Sequence, residues 1–132
     1  MSENKLPIGV CIKVEELRKR GYSNLQEWCD DPKHILVTRN GRVFYKDKNG
    51  ERRIFAYKSS KWHNPFKVKD HGLEKSLEMF EDHLIEKLRD EKDLKEFMEL
   101  MNYKEIGCFC NPREKCHRDI IIKFLVKRAE DA

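Results

Sequence analysis

The stretch "KEIGCFCNPREKCHRDIIIKFLVKR", from Lys104 to Arg128, constrains the fold more than any other part of the chain. Its first seven residues read as a strand entering the core, and "DIIIKFLVKR" reads as a largely buried helix that follows a short turn and starts at or close to Cys116. "HILVTR", "RVFYKD" and "RRIFAY" are β-branched or aromatic runs separated by Asn40-Gly41 and by "KNG", residues that tolerate the positive φ of tight turns. They predict an antiparallel three-stranded meander within a small mixed sheet. Val14 to Arg20 and Leu25 to Cys29 read as short helices, broken at Gly21 and with Ser23 or Asn24 placed to cap the second. Leu73, Leu77, Phe80, Leu84 and Leu88 recur at helical steps, and Leu94, Phe97, Met98 and Met101 mark a further helix. Strands and helices so mixed predict a compact α/β or α+β domain.

The size agrees. At 132 residues the chain fits one domain, 1–132, and can bury a core without staples. Charged and apolar residues each make up 39%, so a charged soluble surface over a packed interior is expected rather than disorder. No apolar run is long enough to span a bilayer, and the N-terminus lacks the pattern of a secretory signal, which predicts an intracellular protein, cytoplasmic or nuclear, with no membrane partner. Five cysteines at uneven spacing do not make a disulfide framework; thiols that are reduced, metal-bound or reactive are expected. Nothing in the sequence sets an oligomeric state.

Charge is segregated. Between Arg39 and Lys69 ten Lys or Arg residues stand against Asp47 and Glu51, inside an overall charge of only +4. A solvated lysine-rich surface explains this, and so does a face that attracts phosphates. Phe44, Tyr45, Phe55, Tyr57, Trp62 and Phe66 interleave with the cations, a combination that holds nucleic acids, although alternate aromatics on a strand often face the core. On the nucleic-acid reading Arg52, Arg53 and Lys58 carry the contact.

The cysteine stretch offers three readings. If Glu105 to Cys110 is extended, Cys108 and Cys110 share a face, and Lys115 to Asp119 open a helix whose N-terminus favours negative charge. Cys116 beside His117, near Arg113 and Arg118, is then a candidate nucleophile with a depressed pKa, and Cys110 is the second. His117 would act as acid or base, Asp119 as its orienting partner or a second base, and Arg113 and Arg118 as anion clamps. Alternatively Cys108, Cys110, Cys116 and His117 supply four ligand types that zinc prefers, at a spacing that lacks the familiar knuckle. Finally, the cysteines can be small buried hydrophobes, with His117 capping the helix.

The loop "SKWHNPF", Ser60 to Phe66, holds a stacking face in Trp62, an amide in Asn64 and a charge in Lys61, which together can grip a base or sugar. Trp62 and Phe66 can equally plug the loop onto the core, with Asn64 bonding the backbone before Pro65.

"RGYSNLQEWCDDP", "HILVTRNGRVF", "SKWHNPF" and "GCFCNPREKCHRD", in that order, resemble the uncharacterised family numbered 4326 in the domain-of-unknown-function series, over roughly residues 20 to 125. Ser60, Trp62, Asn64, Pro65, Phe66, Gly107, Cys108, Cys110, Pro112, Cys116, His117 and Asp119 match its pattern; Phe109 stands where Trp is usual and Arg118 where Gly is usual. The ending Cys-His-Arg also resembles a second uncharacterised family. The first resemblance implies that the tryptophan loop and the cysteine turn form one site. The family's presence in bacteria, phages and large DNA viruses associates it with a nucleotide or nucleic-acid context. The resulting expectation is a domain that binds a nucleotide-like or phosphorylated ligand where the two segments meet, with Cys/His catalysis, nucleic-acid binding and zinc-stabilised interaction as alternatives.

Overall fold

Three short segments far apart in the chain make one parallel sheet. The computed structural model describes residues 6–109 and 115–131. Along them run β1 (Ile8–Cys11), α1 (Val14–Lys19), α2 (Leu25–Cys29), β2 (His34–Leu36), β3 (Gly41–Lys46), β4 (Arg52–Tyr57), α3 (Val68–His71), α4 (Leu73–Lys87), α5 (Glu91–Met98), a 3-10 turn (Glu99–Asn102), β5 (Glu105–Cys108) and α6 (His117–Asp131). The sheet order is β1-β5-β2, with Cys11 opposite Cys108 and Leu36 opposite Gly107. All four residues of β5 are buried, as a central parallel strand with both faces covered requires. The architecture is α/β.

The expected meander is replaced by a two-stranded ribbon. "HILVTR" supplies β2, whose backbone groups are taken by β5, and Val37 extends the ladder by donating to the Gly107 carbonyl at 3.0 Å. Asn40-Gly41 therefore moves the chain from one sheet to another and makes no hairpin; the Asn40 N–H goes to Ser59 Oγ at 2.8 Å. The second turn folds as the sequence predicts. Asp47 Oδ1 accepts from the N–H groups of Asn49 and Glu51, and Gly50 takes φ +77°, joining β3 antiparallel to β4.

The sheet separates two apolar clusters. One holds Phe80, Leu84, Phe97, Ile106, Ile121 and Leu125, contributed mainly by α4, α5 and α6; the other holds Val10, Ile12, Leu17, Leu25 and Trp28. The Asn24 side chain caps α2 by accepting from Glu27 N–H at 2.9 Å. Among the described residues no helix is long and apolar enough to cross a membrane.

Gly107 shows how tightly the layers meet. A Cβ there would lie 2.5 Å from Ile12 Cγ2 and 2.7 Å from Trp28 Cη2, both fixed in the core. Gly107→Ala is expected to destabilise the fold by about 3 kcal/mol, at the upper end of ordinary overpacking, because neither neighbour can swing away. Urea denaturation of the variant measures it; an unchanged midpoint would contradict this packing.

Candidate functional site

α6 begins where Asp119 reaches back. Its Oδ2 accepts the Cys116 N–H at 3.1 Å, the returning half of a capping box, which seats Cys116 and His117 at the end of β5. His117 is buried, and its Nε2 lies 2.6 Å from the Val37 carbonyl oxygen. A carbonyl only accepts, so Nε2 carries the proton and Nδ1 presents a lone pair. That lone pair faces Cys116 Sγ at 3.5 Å and Cys108 Sγ at 3.8 Å. The three ligand atoms lie within 4.8 Å of one another, close enough to hold one metal ion. Burial pushes the His117 imidazole down to about 4; the bond to Val37 opposes this and Arg118 adds to it.

Cys116 departs from the expectation that the thiols are reduced, metal-bound or reactive: it is disulfide-bonded. Cys110 and Arg113, also singled out from the sequence, lie outside the described residues. Asp119 caps the helix and lies 3.6 Å from Arg118 Nε, while the group that orients His117 is the Val37 carbonyl. Arg118 is buried across Gly9 of β1, and its Nε and Nη1 find no hydrogen-bond partner among the described residues.

A cleft of about 320 Å³ opens over this corner, at the carboxyl ends of β2 and β5. Cys108, Cys116 and His117 line it together with Asn64 and Phe66 from the "SKWHNPF" loop, so the two segments do meet. Thr38, just after β2, also lines it; its buried Oγ1 has no hydrogen-bond partner among the described residues. Among the described residues, Arg39, Lys67 and Lys115 are the charged side chains of the lining. A larger open groove of about 1340 Å³ runs between α1 and the ribbon, but it is broad, of mixed charge and without a comparable cluster of buried polar groups.

The tryptophan loop contributes less than its composition suggests. Trp62 is only 6% exposed, its ring set edge-on to Phe97, and it does not line the Cys116 cleft. Lys61 is bound by Asp93 at 2.6 Å and Glu96 at 2.7 Å. Asn64 donates to Ser76 Oγ, accepts from Phe66 N–H, and offers its backbone carbonyl to the Arg39 guanidinium. These bonds shape the loop as one cleft wall. Of the basic residues assigned to nucleic acid, Arg52 and Lys58 are exposed, whereas Arg53 is paired with Asp47 and Glu51.

Sequence reasoning missed Thr38, Arg39, Lys67 and Lys115. The rule that ligands sit beyond the carboxyl ends of parallel strands would have found the first two, had "HILVTR" been placed in the parallel sheet.

A parallel three-stranded sheet, a helix starting over its carboxyl edge and a buried Cys/His cluster between them define a small α/β domain with a candidate site at that edge. The family model described as Domain of unknown function (DUF4326) matches residues 22–127, and the chain belongs to that family. Neither a search of curated proteins nor one of solved structures returned a match.

Proposed function

We propose that this intracellular domain binds a small phosphorylated, nucleotide-like anion in the cleft between Thr38, the Asn64–Lys67 loop and the start of α6. One observation carries the reading: among the described residues Arg39, Lys67 and Lys115 line the cleft and no carboxylate does, while the buried Thr38 hydroxyl faces it without a hydrogen-bond partner among them. The N-terminal end of the 15-residue α6 adds a favourable field for negative charge. The volume falls at the small end of the roughly 300–1,000 Å³ usual for ligand sites, which suits a mononucleotide or smaller phosphate ester.

Titration with AMP and with inorganic phosphate, followed by amide NMR, tests this. Resonances of Thr38, Cys108 and His117 are expected to shift, and Lys67→Ala or Lys115→Ala to weaken AMP binding about tenfold, since a charge-assisted hydrogen bond is lost. Both lysines are exposed, so folding is not at stake. No shift at millimolar ligand, or equal affinity in the variants, would remove the proposal.

A second reading is favoured by His117. Its protonated Nε2 is held by a backbone carbonyl, the arrangement that fixes a metal-binding imidazole, and Nδ1 faces two sulfurs. We propose that the reduced chain binds zinc through Cys108, Cys116 and His117. Zinc takes four donors, so these three leave one position for a further donor. The disulfide at Cys116 must first accept two electrons from a thiol reductant, and each ligating sulfur must lose its proton.

A further inference from the structure

The β3–β4 ribbon has one largely exposed face, whose Phe44, Lys46 and Arg52 border the open groove beside α1. Val43, Tyr45, Phe55 and Tyr57 turn toward the body of the domain and are half-buried, whereas Arg42, Phe44, Lys46, Arg52, Ile54 and Ala56 share the opposite face and are exposed. At its centre Phe44 pairs with Ile54, exposed at 69% and 58%. Exposure on that scale leaves the aromatic ring without a packing role. Arg42 lies on one side of it, Lys46 and Arg52 on the other, and no acidic side chain of the two strands shares their face; Glu15 of α1 lines the neighbouring groove, where Lys13 and Arg18 outnumber it. Arg53 projects to the other side, where Asp47 at 2.9 Å and Glu51 at 3.3 Å neutralise it.

We propose that this face binds single-stranded nucleic acid, with a base stacked on Phe44 and the phosphates on either side held by Arg42, Lys46 and Arg52. A stacking surface ringed by cations is the arrangement that suits a strand whose bases are open, and it asks for no sequence, because every base offers a π-face. Charge argues against a second copy as the occupant. A two-fold contact through Phe44 would press the same three cations against themselves. The site is separate from the cleft at the start of α6 and stands or falls independently of it.

Fluorescence anisotropy with a labelled oligothymidylate of about 12 nucleotides tests it. Binding at low salt is expected to fall with ionic strength along a log–log slope of about −2, roughly 0.7 for each of three cations on a single strand. Phe44→Ala should weaken binding about tenfold with the slope unchanged. Arg52→Gln should reduce the slope by about 0.7, while Arg53→Gln alters neither. All three positions are exposed, so thermal melts of the variants should superimpose on the parent. The proposal is overturned by absence of binding at low salt, by binding that Phe44→Ala leaves intact, or by loss of binding in Lys67→Ala, which would place the strand in the cleft. Association with phosphatidylserine vesicles but not with the oligonucleotide would assign the face to a lipid surface. A dimer in sedimentation equilibrium that Phe44→Ala dissociates would assign it to self-association.

Discussion

Substituting His117 with alanine is expected to cost the reduced chain more than ~100-fold in zinc affinity, because loss of a partner that merely orients a ligand already costs about 10–100-fold. The parent should copurify with close to one zinc per chain when made without a histidine tag and kept reduced. Cobalt(II) in place of zinc should show a thiolate-to-metal charge-transfer band, weakened in Cys108→Ser. Since His117 also bonds Val37, its variant is to be checked for folding by circular dichroism, and Cys108→Ser gives the second, milder test. Reduced protein with far less than one ion per chain and no cobalt band would end the zinc reading while leaving the anion cleft untouched.

Trp28→Ala is expected to destabilise the domain by about 4–5 kcal/mol, the upper part of the range for a large aromatic removed from a core. Trp28 is fully buried, stacks on His34 with centroids 4.6 Å apart, and donates from Nε1 to Glu105 Oε1 at 2.9 Å. Against stabilities of about 5–15 kcal/mol for natural domains, this would leave a large unfolded fraction in mild denaturant. Trp28→Phe keeps most of the volume and should cost only about 1–3 kcal/mol, the penalty of a buried carboxylate oxygen losing its donor.

That carboxylate is also held by the Arg20 fork, at 2.8 and 2.6 Å, with His34 Nε2 3.7 Å from Oε1. Burial pushes the Glu105 carboxyl up, but the bonds from Arg20 and Trp28 outweigh it and hold it below its ordinary value. A depressed carboxylate contributes stability above its unfolded pKa of about 4.3 and loses it as the pH falls through the folded value. The parent should therefore lose this contribution in acid. Urea titrations at pH 7 and below pH 4 should show Trp28→Phe suffering less additional loss on acidification than the parent, and an identical acid loss would mean that the indole N–H does not hold the carboxylate.

The elements built from local periodicity were legible in the sequence. Leu73, Leu77, Phe80, Leu84 and Leu88 define α4, and Asn24 caps α2, because helical signals lie within a few residues of one another. The partner of a three-residue strand carries no such signal. "HILVTR" sits beside "RVFYKD" in sequence and beside Glu105–Gly107 in space, and only the sheet as a whole decides between them. The site divides the same way. That the "SKWHNPF" loop and the cysteine turn belong together could be expected, and Asn64, Phe66, Cys116 and His117 do line one cleft. That Trp62 supports the loop from beneath, and that a carbonyl 80 residues away orients His117, could not.

The position of β5 bears on how the domain is made. The centre strand is made after both of its neighbours, and β1 and β2 each pair with it in the sheet. During synthesis β1 and β2 therefore emerge as orphaned strands whose common neighbour does not yet exist, and the sheet closes when β5 inserts between them, a non-local step that slows folding and leaves the nascent chain dependent on protection from aggregation.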